Sequence, residues 1–347
     1  MADLSQLVSA YNADEAGTLP GRQTSSEHLV EFILARLPKT GKPLYEAAAH
    51  HFYKPGKLLR AKMALQASQI LNVDRAAAFH WAVAIEVLHN ASLIHDDICD
   101  GDHLRRGRPA VWSKYGRDVA LTLGDWLVAL SFELAAEAAQ RSQTPMLVKV
   151  LAEQMKITTM GQAREFEIQR NWEWNKYLEI AADKTAPLLT APLEGIIAMA
   201  LHSHSSAAIG SYFRCLGSAY QIANDILNFK GKDGAAEDGS DLGKRAPNAV
   251  VVLFRNGLDE VTKARFDSWY VSGHTDELIK WQETIMDSPA IDLATLKMNS
   301  ILDESAYLAT SFPEELIEVI TPIQQILQQV CKKSVATVIS PNIESFF

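Results

Sequence analysis

Residues 88–100 read Leu88-His89-Asn90-Ala91-Ser92-Leu93-Ile94-His95-Asp96-Asp97-Ile98-Cys99-Asp100. Wound as a helix, this stretch stands Asp96 and Asp100 one turn apart on one face, with Asp97 displaced by about 100°. Ser92 and His89 continue that face toward the N-terminus. Three carboxylates crowded within about 6 Å repel one another unless a cation sits among them. Oxygen ligands without cysteine or clustered histidine suit a hard ion such as Mg²⁺, which typically shares its ligands with substrate phosphates. A solvated acidic helix end is the plainer reading. The apolar run before the aspartates and the basic residues after them argue instead for a buried, compensated site.

Those basic residues are Arg105, Arg106 and Arg108. Guanidinium forks match phosphate oxygens bidentately, whereas a surface salt-bridge cluster would use the same residues with no ligand. Further out, Gly56-Lys57-Leu58-Leu59-Arg60 sets two cations beside a glycine turn near a helix start, a second candidate anion site. Lys184-Thr185-Ala186-Pro187 interrupts a long helical pattern; Pro187 cannot donate to the carbonyl of Asp183, so the helix bends there. In Tyr220–Phe229, Gln221, Asn224, Asp225 and Asn228 fall on one helical face. Polar groups on an otherwise apolar helix must find partners or line a wet cavity.

The surrounding chain has 347 residues, 48% hydrophobic and 22% charged, which excludes disordered, collagen-like and coiled-coil classes. Thirty-three Lys+Arg against 42 Asp+Glu leave a net charge of -9, the wrong balance for a nucleic-acid binder. Three scattered cysteines, Cys99, Cys215 and Cys331, fit a reducing cytoplasm better than a disulfide framework. No secretory signal is visible at the N-terminus, and no run approaches the roughly 18–20 apolar residues of a membrane span. Alanine and leucine recur at helical spacing, predicting helices over 27–37, 43–53, 57–71, 75–101, 117–140, 145–170, 176–202, 206–229, 257–271, 275–286, 292–310 and 313–334. Gly231–Asn248 is the one conspicuous loop, and Val250–Phe254 is either a buried strand or the start of a helix. The fold class is all-α, one large helical bundle.

In order along about residues 50 to 250, the chain carries His89-x-x-Ser92-Leu93-Ile94-His95-Asp96-Asp97-x-x-Asp100, Arg105-Arg106-Gly107-x-Pro109, Gly124-Asp125, Gly161-Gln162, Lys184-Thr185 and Gln221-x-x-Asn224-Asp225. This series resembles the trans-isoprenyl diphosphate synthases, or polyprenyl synthetases. The first aspartate motif with Arg-Arg-Gly is the specific part; the others gain weight from their order. The resemblance implies the isoprenoid synthase fold, a single domain over 1–347 around a deep central cavity, with 1–25 as a loosely ordered extension. It also implies a homodimer, with two aspartate motifs facing each other across the cavity mouth. By the same resemblance, Asp96, Asp97 and Asp100, with Asp225 of the second motif, would hold about two to three Mg²⁺ ions on an allylic diphosphate. Arg105, Lys184, Thr185 and Gln221 would contact that diphosphate. Lys57, Arg60, His89 and Arg106 would bind isopentenyl diphosphate, and Lys244 is a further substrate-binding residue. The implied chemistry is ionisation of the allylic diphosphate, attack by the alkene on the allylic cation, and loss of a proton, with Asp96, Asp97, Lys184, Gln221 and Asp225 as the catalytic residues.

The second motif departs from the family pattern. Asn224 and Asn228 stand where carboxylates are usual, Ala236 replaces a loop lysine, and Gly56–Ala61 lacks one arginine and a proline. A class I terpene cyclase, a transferase with another acceptor, and a regulatory partner subunit are therefore alternatives to a chain-elongating prenyltransferase. The retained Lys57, Arg60, His89 and Arg106 favour elongation, because a cyclase needs no isopentenyl diphosphate site. Product length is read from residues one turn before the first motif. Ala91 and Ser92 are small, with Leu88 deeper and Phe132 on a flanking helix. A product of geranylgeranyl length or longer is expected.

Overall fold

The structure is a computed structural model that describes residues 24–54, 56–166, 173–200, 206–230 and 240–335. The expected extension over 1–25 lies almost wholly outside them, and Ala236 lies outside them too. The described residues divide into two compact units: the first takes those up to Leu151 together with 198–200, and the second takes the rest.

The first unit contains α1 (Thr24–Arg36), α2 (Tyr45–His51), α3 (Leu59–Ile70), α4 (Arg75–Cys99), a two-stranded ribbon of β1 (Leu104–Arg105) and β2 (Arg108–Pro109), α5 (Val111–Tyr115), α6 (Arg117–Ser142) and the start of α7 (Met146–Glu165). Asp74 caps α4, its carboxylate accepting the Ala77 N–H at 2.7 Å. From there α4 runs between α3 and α6, and Trp81, Val83, Ile85 and Val87 are all fully buried. A helix buried on so many sides needs apolar residues around most of its circumference, which is why its amphipathic pattern is weak in the sequence. In α6, Leu123, Leu127, Leu130 and Leu134 repeat at helical spacing and are buried. Arg36 ties α1 to α6 through a bidentate pair with Glu137, both contacts at 3.0 Å.

The second unit contains the rest of α7, then α8 (Trp174–Thr185), α9 (Pro187–Met199), α10 (Ser206–Phe229), α11 (Ser240–Lys244), α12 (Ala249–Asn256), α13 (Glu260–Ser272), α14 (Leu278–Met286), α15 (Ala290–Ala309) and α16 (Glu314–Val335). α10 is its axis, packed by α8, α15 and α16. Ile222 and Ile226 enter a core shared with Phe254, Phe266, Trp281 and Met298. The expected bend at Pro187 is a full break: α8 stops at Thr185 and α9 starts at Pro187, where the missing N–H costs nothing. Val250–Phe254 is helix, not strand. Asn248 caps it by accepting the Val250 N–H at 2.9 Å, and burial on every side accounts for the unbroken apolar run.

Among the described residues two helices, α4 and α6, match a membrane span in length and mean hydropathy, although neither is the uncharged apolar run that the sequence lacks. The apolar window of α4 is 78% buried within the chain, as befits a core helix, and that of α6 is 44% buried.

Candidate active site

Asp97 sits in the last turn of α4 and is 1% exposed. Its Oδ1 accepts the Nε–H of Arg105 at 2.8 Å and a second bond from the same guanidinium, while its Oδ2 is buried with no hydrogen-bond partner. Burial pushes the Asp97 carboxyl up, and the Arg105 hydrogen bond and charge pull it back. Asp96 is half-buried, and Asp100 is exposed at the helix end, its N–H donating to the Asp96 carbonyl at 2.8 Å. An orphaned buried carboxylate oxygen is costly unless something completes its shell. Among the described residues no three His, Cys, Asp or Glu side chains converge closely enough to hold a metal by themselves. Mg²⁺ is commonly held through one or two carboxylates, with substrate phosphates and water completing the shell. The first motif fits the ion on those terms.

The β1–β2 ribbon carries the arginines. Arg106 (φ 54°) and Gly107 (φ 73°) make its turn, in an antiparallel register of Leu104 with Pro109 and Arg105 with Arg108. Arg106 donates to the Lys54 carbonyl, and its guanidinium lies 2.9 Å from where a Cβ on Gly56 would stand. Gly56 also has φ +82°, so glycine is required there on two counts. Around this point Arg60, Arg105, Arg106 and His89 act on one another. Burial depresses His89 well below an ordinary histidine, with the Arg60 and Arg106 charges adding to it. Burial and Arg106 likewise take His51 down to about 3, and its ring bonds the Asn90 amide oxygen at 3.0 Å. Glu86, 3% exposed, accepts the Ala61 N–H at 3.3 Å; burial pushes it up, and Arg60 and Arg106 oppose that. The first unit thus assembles Arg60, His89, Arg105 and Arg106 beside Asp97, with Lys57 exposed at the turn before α3. Mutually repelling cations of this kind are relieved by an anion. Glu86 and His51, which complete the group, carried no signal in the sequence beyond their residue types.

In the second unit, Lys184 and Thr185 are half-buried at the break between α8 and α9. Lys184 pairs with Glu165, which also accepts from Gln162 at 2.9 Å. Asp183 is held by Arg164 at 2.7 Å and Arg214 at 2.5 Å. A Cβ on Gly161 would come within 2.8 Å of the backbone at Asp183 and Lys184, which explains the glycine of the Gly161-Gln162 pair.

The second polar stripe is closed differently. Asp225 is 2% exposed, and its carboxylate receives the Tyr177 hydroxyl at 2.6 Å, the Ala249 N–H at 2.6 Å and the Gln221 amide at 2.9 Å. Burial, with the Asp241 charge nearby, pushes Asp225 up to about 8 against the pull of these donors. Asn228 is buried, Asn224 half-buried and Lys244 exposed. Tyr177, Asp241 and Asn248, which surround the stripe, were not singled out from the sequence, although Asn248 preceding an apolar run is a capping signal.

Of the length-determining candidates, Ala91 is 0% and Leu88 4% exposed, so both are closed within helix packing. Ser92 and Phe132 are half-buried, and the Ser92 hydroxyl donates to the His89 carbonyl at 2.8 Å. The Gly124-Asp125 pair has a steric basis. A Cβ on Gly124 would lie 2.1 Å from His95 Nε2, and Asp125 stands 3.6 Å from the same nitrogen.

An all-α architecture in which a buried carboxylate–arginine pair adjoins a cluster of basic side chains is what the described residues show. The family is more specific: the sequence pattern described as Polyprenyl synthetase matches residues 42–285, and the chain belongs to that family. It is 34% identical over 219 residues to a geranylgeranyl diphosphate synthase of Sulfolobus acidocaldarius, covering 61% of this chain and 63% of that protein. The match thus spans less than two thirds of that relative's length. A heptaprenyl diphosphate synthase component 2 of Geobacillus stearothermophilus is 30% identical over 278 residues, 78% of this chain and 84% of the relative. In fold, a decaprenyl diphosphate synthase from Rhodobacter capsulatus superposes with a TM-score of 0.77 at 21% identity, over 95% of this chain and 99% of the other.

Proposed function

We propose that this chain is a Mg²⁺-dependent, chain-elongating prenyltransferase that condenses an allylic diphosphate with isopentenyl diphosphate. The observation that carries the reading is the pairing, within one unit, of two distinct anion-seeking groups: Asp97 with Arg105, and Arg60 with Arg106 and His89. Two diphosphate substrates need two such sites. Magnesium bound at Asp96, Asp97 and Asp100 would neutralise the allylic diphosphate and its departing form. Arg105 orients Asp97 and offers its remaining donors to the same phosphate. Arg60 and Arg106, with neutral His89 between them, bind the second diphosphate and hold its alkene in place. Lys184, Thr185, Gln221 and Lys244 would supply further contacts. No protein nucleophile is called for; positioning and fixed charge carry the rate.

The test is incubation of the protein with Mg²⁺, isopentenyl diphosphate and each allylic diphosphate in turn, with mass analysis of the products. Elongated diphosphates support the reading, and their absence with every starter refutes it. The amides at Asn224 and Asn228 favour one second reading, a cyclase or a transferase to another acceptor. A hydrocarbon or alcohol product formed without isopentenyl diphosphate would establish the cyclase.

The product is read as geranylgeranyl length or longer, and half-buried Ser92, rather than closed Ala91, carries that test. Ser92→Phe should shift products toward farnesyl length; an unchanged distribution from a folded, active variant would show that the tail does not pass this turn. The same reading takes the two units as one catalytic domain with a central cavity, and the protein as a cytoplasmic homodimer. The scattered spacing of Cys99, Cys215 and Cys331, which forms no disulfide framework along the sequence, supports the compartment. The incompletely covered apolar window of α6 supports a partner subunit, and size-exclusion chromatography with light scattering tests it.

A further inference from the structure

A carboxylate offers about four lone-pair directions. At Asp225 three are already taken by Tyr177, Gln221 and Ala249, in a site closed to water. The neighbouring amides are committed to the same purpose. Asn228, 3% exposed, turns its Oδ1 toward the Asp241 N–H at 3.3 Å. Asn248, 0% exposed, donates from one amide nitrogen both to the Asp225 backbone carbonyl at 3.3 Å and to the Asp241 carboxylate at 2.9 Å. These bonds stitch α10 to α8 and to residues 241–249. A cation seated on Asp225 could reach only the one remaining lone-pair direction, at the buried oxygen that already takes the Gln221 amide, and any fuller ligation would displace a buried donor and leave it unsatisfied. Nor would Asn224 and Asn228 bring any charge to offset that loss. The first motif presents the reverse arrangement, a buried carboxylate oxygen with nothing on it.

We propose that this chain gathers its divalent ions at the first aspartate motif alone, and that Asp225 and Asn228 form a metal-independent latch fastening the 241–249 segment to α10. The inference rests on the first motif being a metal–diphosphate site, as proposed above. It adds that the second stripe contributes no ion, and that its single carboxylate serves architecture.

Ion counting on the full-length protein decides it. Mn²⁺ serves as the spin probe and inorganic pyrophosphate as the anion, and electron paramagnetic resonance reads the free ion, hence the number bound per chain. Asp225→Asn should leave the count unchanged. The new amide oxygen can keep Tyr177 and Ala249, and Gln221 can flip to accept from the new amide nitrogen. Asp225→Ala, which removes all three acceptor contacts, should also leave the count unchanged but melt at lower temperature, with hydrogen exchange at 241–249 at least tenfold faster. Asn224→Asp places a carboxylate at a half-buried position outside the latch and should add one bound ion. That variant keeps the question open to measurement should Asp225→Asn fail to fold. Loss of one ion in an Asp225→Asn protein with wild-type melting and exchange would overturn the inference. So would loss of one ion in an Asn228→Ala protein with wild-type melting and exchange, because the stripe would then hold an ion and not the segment. Asp97→Asn is the control for the underlying reading and should lower the count. A count indifferent to Asp97 would sink the first-motif site and this inference together, whereas the two preceding outcomes overturn the latch and leave that site standing.

Discussion

Asp97 and Asp225 are both aspartates near the ends of long helices, both almost fully buried, and they have been completed in opposite ways. Asp97 has one oxygen committed to a single arginine and one oxygen left bare. Asp225 has both oxygens covered by donors from its own unit. The first keeps one buried oxygen without a donor, and the second has a donor on each. Burial alone therefore says little about whether a carboxylate is functional; the state of its lone pairs says more.

The sharpest way to break this contrast is to remove each carboxylate's contribution and ask what is lost. Asp97→Ala should cost at least ~10²-fold in turnover, on the scale of losing one preorganised electrostatic contact, with the folded state retained. Steady-state kinetics with circular dichroism checks this, and near wild-type turnover would remove Asp97 from the site. Next in size is an acid effect confined to the first region. His51 stays neutral in the folded protein down to about pH 3, whereas in the unfolded chain it takes a proton near 6.5. The unfolded state thus binds more protons between those limits, so stability falls as pH drops from about 6.5 toward 3. At pH 4.5 the loss from His51 is about 2–3 kcal/mol. Urea titrations at pH 7.5 and 4.5 should show it, and His51→Gln should flatten the difference; an equal pH dependence in that variant would mean His51 is charged when folded.

In the second region, Tyr177→Phe removes one donor from Asp225 and should destabilise by about 1–2 kcal/mol while leaving turnover per folded molecule within about twofold. A large kinetic defect at wild-type stability would mean that Asp225 acts in the reaction after all. The smallest effect belongs to the helix that carries the first motif. Asp74→Ala deletes the α4 cap and should cost about 1 kcal/mol, read as a lower melting temperature with unchanged kinetics.

The all-α class and the interruption at Pro187 were legible because each depends on local spacing, and the same spacing put Asp96, Asp97 and Asp100 together at the end of α4. Alternation of apolar and polar residues could not distinguish strand from helix at Val250–Phe254, since burial on all sides erases the period. The closure of Asp225 was illegible for a different reason. Its donors come from positions 48 residues earlier and 24 residues later. Sequence order places Gln221, Asn224, Asp225 and Asn228 on one face but does not say whether that face looks into a cavity or into a neighbour's hydrogen bonds. Glu86 was hidden similarly, as a lone acid in an apolar run whose meaning comes only from Arg60 and Arg106 being beside it. Ala91 is the opposite error of scale: a small residue suggests open space, but here α4 is packed so closely that the space is used.

The seat that Gly124 gives to His95 works as a mechanical index between α4 and α6. Sliding one helix past the other by a single residue, about 1.5 Å, would drive the imidazole into backbone or into the next side chain. The height of Asp96, the next residue along, is thereby set in part by shape, beside the contact that Asp125 makes with the same imidazole. Salt that screens the pairing of Arg105 with Asp97 leaves this registration untouched, so the aspartates hold their place before any ion or diphosphate arrives to hold it for them.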